Sequence, residues 1–413
     1  MIESIKEDLS LYLHVPFCHT KCPYCDFNTY EKIEQLIPNY IESISNDIEF
    51  WGTTLNHPIT KTIFLGGGTP SYLSTSNLTK VIQSIKTNFH ISENAEITIE
   101  CNPGDLNHKK LENYLQIGIN RLSIGIQSFD DELLTKIGRR HNAEDAISSY
   151  NQAIESGFSN VSIDLMFGLP GQTKQNWINT MYKALELNPK HISLYCLTLE
   201  SGTPMEAWER NGKIQVPDND ITADMYSETQ KLMQQANYKH YEISNWCKDG
   251  YESIHNLTYW ENKPYIGIGP GAHSYLHPLR FWALKSPREY IKKTSFLAEN
   301  SISKNFFSES FNAKKLKDST TIEDIEYISN NTEIIDTVMM GIRLNSGLNL
   351  SKFKSRFGIS FTELFGDITT ELINLGLLTL DCYNLKLTDQ GRMLCSQVTS
   401  KLFETLSNER NQK

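Results

Sequence analysis

No run of eighteen apolar residues occurs anywhere in this 413-residue chain, so it offers no candidate transmembrane helix. Basic residues are in deficit. Lys and Arg number 39 against 49 Asp and Glu, a formal net charge of -10, which argues against a general nucleic-acid binder. The opening MIESIKEDLS lacks a basic stretch followed by an apolar core, so no secretory signal is expected and a cytoplasmic protein is. Peripheral membrane contact stays open, because it needs no spanning helix. Cysteine is sparse. Eight residues in a chain this long exclude a disulfide framework. Five of them (Cys101, Cys196, Cys247, Cys382 and Cys395) are scattered and read as reduced thiols. A second C-x2-C pair is absent, which counts against a closed four-cysteine zinc site.

The remaining cysteines sit together. Residues 11–30, LYLHVPFCHTKCPYCDFNTY, hold Cys18, Cys22 and Cys25 in a C-x3-C-x2-C run just after an apolar, strand-like segment. Iron–sulfur clusters are usually held by four cysteines, so a three-cysteine loop would leave one iron open to a ligand. Two other readings stand beside the cluster. Zinc would need His14 or His19 as a fourth ligand, and a redox pair of Cys22 and Cys25 would leave Cys18 without a role.

The first half alternates in period. Short segments bounded by turn residues predict strands at 11–15, 61–65, 95–101, 120–126, 160–167 and 191–197. Apolar residues at steps of three and four predict helices between them. The faces are Ile37, Ile41, Ile44, Ile48 and Trp51; Leu78, Val81, Ile82 and Ile85; and Ala143, Ala146, Ile147, Tyr150 and Ile154. Such alternation predicts an α/β fold, a parallel sheet closed into a partial (β/α)6 barrel, with its site at the strand C-terminal ends. The chemically distinctive residues fall there. The cysteine loop follows strand one, and GGGTP (66–70) follows strand two. Glu100 and Gln127 close strands three and four, Asp164 lies in strand five, and Thr198 follows strand six. GGGTP lacks the lysine of a phosphate loop, but its glycines let a ligand approach the backbone. Glu100 is suited to accepting from a ligand's hydroxyls and Arg139 to pairing with a carboxylate. For each, a satisfied structural polar group is the competing reading.

With Tyr24 before the last cysteine, the C-x3-C-x2-C run resembles the signature of the radical S-adenosylmethionine (SAM) enzymes. The resemblance implies a [4Fe–4S] cluster whose open iron takes the amine and carboxylate of SAM, and from which an electron can release a 5′-deoxyadenosyl radical. YLHVPFC, GGGTPSYL, IECNPG, RLSIGIQSF, IDLMFGLPGQT and GIGPGAHSY are together similar to the oxygen-independent coproporphyrinogen III oxidase family, over nearly the whole chain. That family implies SAM contacts at Tyr12, Tyr24, Gly68, Thr69, Glu100, Gln127, Arg139, Asp164 and Thr198. Two departures separate its branches. The porphyrinogen-oxidising enzymes carry a further cysteine where this chain has Phe27, and an extension before the first strand. Both departures resemble the radical-SAM haem chaperone branch. So does ESIHNLTYW (252–260), similar to an H-N-x-x-Y-W motif associated there with haem, which implies haem near His255. Axial ligation is chemically open to a neutral imidazole.

The expected domains are the barrel at 1–202, a barrel-covering extension at 203–300 that includes H-N-x-x-Y-W and a back-folding GIGPGAHSY, and a linker at 301–320. A winged-helix-like domain follows at 321–413, with helices at 322–343, 349–357 and 360–375. Its helix TELFGDITTELINLG (362–376) has no Lys or Arg, which disfavours a DNA-binding regulator. The favoured function is a haem chaperone that passes haem to an acceptor haemoprotein, with an electron donor for the cluster. The alternative is a radical enzyme that oxidatively decarboxylates coproporphyrinogen III.

Overall fold

The computed structural model describes residues 8–299, 316–317 and 320–408. Their contacts divide them into two compact units: one up to Leu232 together with Pro264–Tyr327, and one of Met233–Lys263 together with the residues from Ile328 onward.

In the first unit six parallel strands lie in chain order: β1 (Leu9–Val15), β2 (Ile59–Gly67), β3 (His90–Cys101), β4 (Arg121–Gln127), β5 (Val161–Phe167) and β6 (His191–Cys196). All six predicted strands are present. Alternation within each strand sets the two faces. One carries the apolar residues, such as Leu11 and Leu13 on β1, Ile97 and Ile99 on β3, and Ile163 and Leu165 on β5, all buried. Helices cover them, the first five in chain order being α1 (Ile37–Thr54), α2 (Thr75–Asn88), α3 (His108–Ile117), α4 (Asp131–Lys136) and α5 (Ala143–Glu155). The other face is polar. Glu96, Thr98, Arg121, Ser123, Ser162, His191 and Ser193 are buried there. Ser123 Oγ donates to both Asp164 carboxylate oxygens at 3.1 and 3.0 Å, and Ser162 Oγ lies 2.7 Å from His191 Nδ1.

The barrel is incomplete because the free edge of β1 is taken by Tyr265–Ile268, parallel to it. That strand is followed antiparallel by His273–Leu276, Leu279–Ala283 and Ile322–Tyr327. The last of these corrects the expected helix at 322–343, whose helical part is Asn330–Gly341 alone. Ile322 and Ile325 are spaced as on a helix, but the ladder to Leu279–Ala283 holds the segment extended. The buried face of α5 also differs: it runs through Ala146, Ser149, Tyr150 and Ala153, while Ile154 is exposed. Ser149 belongs inside because its hydroxyl accepts from the Gly104 N–H at 3.2 Å. The expected linker at 301–320 lies almost wholly outside the described residues.

The second unit packs Ile254–Trp260, Asn330–Gly341, Leu350–Phe357, Phe361–Asn374 and Cys395–Asn408 with a small sheet of Leu348–Asn349, Asn384–Leu387 and Leu378–Leu380. Val338, Phe353, Phe361, Phe365, Leu372 and Val398 form its core. The H-N-x-x-Y-W segment falls within this unit, and side chains show why. Asn262 Nδ2 donates to Thr337 Oγ1 at 3.0 Å. Arg356 donates to Glu333 and to the Asn262 carbonyl, and the Arg343 guanidinium lies 4.9 Å from the Trp260 ring centre. No helix among the described residues is long and apolar enough to cross a membrane.

Candidate functional site

The cysteine loop leaves β1 and is pinned along its length. Cys18 N–H donates to the Tyr30 carbonyl at 2.9 Å, and Cys25 N–H to that of Cys22 at 3.1 Å. Met205 N–H reaches the Pro23 carbonyl at 3.0 Å. Tyr24 packs on Leu133, Ile137, Met166, Leu169 and Met205. Asn28 Nδ2 donates to the carbonyls of Pro270 and Lys285, both at 2.9 Å, so GIGPGAHSY does fold back onto the end of this loop. Cys18, Cys22 and Cys25 are half-buried and carry no disulfide. Burial pushes the Cys18 and Cys25 thiols up, and a bound cation reverses that by taking the thiolate.

The loop after β2 comes in beneath it. Gly68 N–H donates to the Val15 carbonyl at 2.8 Å and Thr69 N–H to that of Phe17 at 2.9 Å. A Cβ on Gly68 would stand 2.7 Å from Val15 O, 2.8 Å from Phe17 O and 3.2 Å from Cys18 Sγ, so only glycine fits. Thr69 Oγ1 lies 3.4 Å from Cys18 Sγ. It also accepts from Asn102 Nδ2 at 3.1 Å. Arg139, just past α4 (Asp131–Lys136), donates to Asn102 Oδ1 at 2.6 Å and approaches Cys22 Sγ at 3.8 Å. Tyr24 is in hydrogen-bonding contact with Cys22 and Arg139.

Deeper in the barrel, Glu100 accepts from Gly67 N–H at 3.1 Å. Burial pushes its pKa up to about 8, the Asp164 charge adds to this, and Gly67 N–H and Arg121 oppose it. Burial likewise raises Asp164, against the hydrogen bonds from Ser193 and Ser123. Tyr12 hydrogen-bonds His14 Nδ1 at 3.0 Å, and His14 Nε2 donates to the Asn28 carbonyl at 2.9 Å. Both ring nitrogens of His14 are therefore committed within the protein, which removes it as a zinc ligand. His19 instead packs edge-on against Tyr72. Gln127 holds a left-handed φ of 69° at an irregularity that ends β4, a backbone state that non-glycine residues adopt at a cost. Thr198 is exposed past β6. The candidates other than His255 thus lie in one unit, and most of them on the strand ends and loops of one rim. Asn102, which the sequence reading passed over, joins two of its parts. It stands two residues beyond Glu100 in E-C-N-P, where an asparagine reads as a turn residue.

His255 is a different matter. It lies in the second unit, on Ile254–Trp260, fully buried, with Nε2 2.9 Å from the Tyr259 hydroxyl.

The donor set fits a cluster with a polar ligand beside it. Three thiols stand on one anchored loop, a glycine cradle backs them, and the buried Arg139 Nε is left without a hydrogen-bond partner. A parallel, incomplete barrel with this loop at its rim defines a radical SAM protein. The radical SAM superfamily model matches residues 12–183, and that of the HemN C-terminal domain matches 328–394. The chain is 35% identical to heme chaperone HemW of Lactococcus lactis, over 95% of this chain and 97% of that protein. It is 36% identical to heme chaperone HemW of Bacillus subtilis, over 94% and 97%. It belongs to the HemW family. The solved structure of coproporphyrinogen III oxidase (HemN) from Escherichia coli, a radical SAM enzyme, shares the fold: TM-score 0.79 over 96% of this chain and 90% of that one, at 22% identity.

Proposed function

We propose that this chain is a haem chaperone that binds haem and passes it to acceptor haemoproteins in the cytoplasm. The observation that carries the reading is its near end-to-end likeness to proteins named as heme chaperones, 35% identical over 95% of the chain. Phe27 supports it. This side chain is 64% exposed at the end of the cysteine loop and offers no ligand where the porphyrinogen-oxidising branch has a cysteine.

Cys18, Cys22 and Cys25 hold the [4Fe–4S] cluster in this reading. Bound there, the cluster supplies an electron and an open coordination position for SAM. The protein's own residues orient and enclose. Gly68 and Thr69 bring backbone to the ligand, and Glu100 accepts from hydroxyls. Arg139 offers its spare Nε to a carboxylate. Tyr12, Tyr24, Gln127, Asp164 and Thr198 complete the polar lining. An electron donor would dock at this rim, and peripheral membrane contact would bring the chaperone to membrane-bound acceptors.

Haem is the cargo, with the H-N-x-x-Y-W segment as its proposed contact. For His255 to touch it, Nε2 must leave the Tyr259 hydroxyl. The test is an anaerobic haem titration of wild type beside His255→Ala, followed by mixing with an apo-haemoprotein. Saturable binding near one haem per chain, weakened in the variant, with transfer to the acceptor, is expected. Absence of saturable binding, or a vinyl-bearing product from coproporphyrinogen III with SAM and reductant, refutes it.

A further inference from the structure

We propose that Asn102 is a positioning residue for the cluster, whose one side-chain amide orients hydrogen bonds to two of the three cysteine sulfurs. The inference rests on the reading that Cys18, Cys22 and Cys25 hold that cluster. The contacts form one continuous path from Cys18 Sγ to Thr69 Oγ1 (3.4 Å), on to Asn102 Nδ2 (3.1 Å), from Asn102 Oδ1 to Arg139 Nη2 (2.6 Å), and from Arg139 Nη1 to Cys22 Sγ (3.8 Å).

Its directions follow from chemistry. A guanidinium only donates, so the Asn102 atom facing Arg139 is the carbonyl oxygen. That leaves Nδ2 facing Thr69, where it donates. Thr69 Oγ1 then has its own hydrogen for Cys18 Sγ. A single amide thus aims a hydroxyl at one sulfur and steadies a guanidinium at another. Asn102 is itself held. Its N–H donates to Ser71 Oγ at 3.2 Å, and Ser71 Oγ donates to Asp105 at 3.1 Å. Arg139 Nη2 is held from the other side by the Gly125 carbonyl at 2.5 Å.

Hydrogen bonds to cluster sulfurs and nearby charge tune the reduction potential, and outer residues that orient such donors act through them. Aspartate at this position has the same shape and still accepts from Arg139, but it cannot donate to Thr69. The Thr69 hydroxyl would turn to the carboxylate, and Cys18 would lose the donor that Thr69 supplies.

The test is an EPR-monitored redox titration of anaerobically reconstituted wild type, Asn102→Asp, Asn102→Ala, Thr69→Val and Thr69→Ser, each with its iron content. Both Asn102 variants and Thr69→Val should titrate at a more negative midpoint potential with iron loading kept. Thr69→Ser, which retains the hydroxyl, should keep the wild-type potential. Asn102→Ala combined with Thr69→Val should go no further than Asn102→Ala alone, since both cut the same path. An unchanged potential in loaded Asn102→Asp and Thr69→Val overturns the proposal. So do variants that lose iron while the remainder titrates as wild type. A wild type that takes up no iron and sulfide refutes the underlying reading instead.

Discussion

Glu100 shows how far one side chain can be read from its place in a strand. Its inward position follows from the two-residue period of β3, and its unusual proton affinity from what faces it. Tyr12 and His14 of β1, Gly67 N–H of β2, Glu96 on its own strand, Arg121 of β4, Asp164 of β5 and His191 of β6 share its side of the barrel. Among these, Arg121 is the one permanent cation, and it lies beside Glu96 at 3.9 Å. With its pKa raised from 4.5 to about 8, Glu100 binds a proton in the folded state that the unfolded chain has released. Its contribution to stability is therefore full below about 4.5 and is lost as the pH climbs to about 8. Glu100→Gln should flatten the pH dependence of stability across that window. Denaturant unfolding at several pH values checks this, and parallel curves for the two proteins would refute it. The carboxylates at the site were legible because a charge amid an apolar strand stands out. Asn102 was not, since an asparagine after a strand is the ordinary sign of a turn and its two partners are distant in sequence.

At the scale of elements, β1 and β2 and the loops that leave them form the mount for the cysteines. Val15 and Phe17 offer carbonyls, Gly68 and Thr69 offer N–H groups, and Gly68 has no room for a side chain. Gly68→Ala should therefore destabilise the unit by about 1–3 kcal/mol, because backbone rather than a flexible side-chain tip would have to give way. Thermal or denaturant unfolding reads the loss, and iron uptake should fall with it as Cys18 is displaced. A variant as stable as wild type, with full iron uptake, would show that the loops are looser than these distances. The barrel strands were legible because each is bounded by turns. Ile322–Tyr327 was not, because its isoleucines fit a helical repeat and only its partner strand reveals the ladder. The helix Phe361–Asn374 presents Glu363, Asp367 and Glu371 on its exposed face, the last paired with Lys401.

Across the whole molecule, the fold class and the cysteine loop were legible because both rest on local pattern. The partition into units was not. Residues 233–263 fall inside the expected extension at 203–300, yet Asn262 and Trp260 contact side chains on helices some seventy to ninety residues further on. His255 is buried in the second unit, its ring edge-on to Tyr259. Its role then depends on whether that packing opens to haem, as the titration of His255→Ala reports. Everything proposed for the rim depends on what the three cysteines hold. The most direct measurement is the iron, acid-labile sulfide and zinc content of anaerobically reconstituted protein, with Cys22→Ala beside it. We expect about four irons and four sulfides per chain in the wild type and their loss in the variant. A single zinc per chain, or iron and sulfide no higher than in the variant, would contradict the cluster.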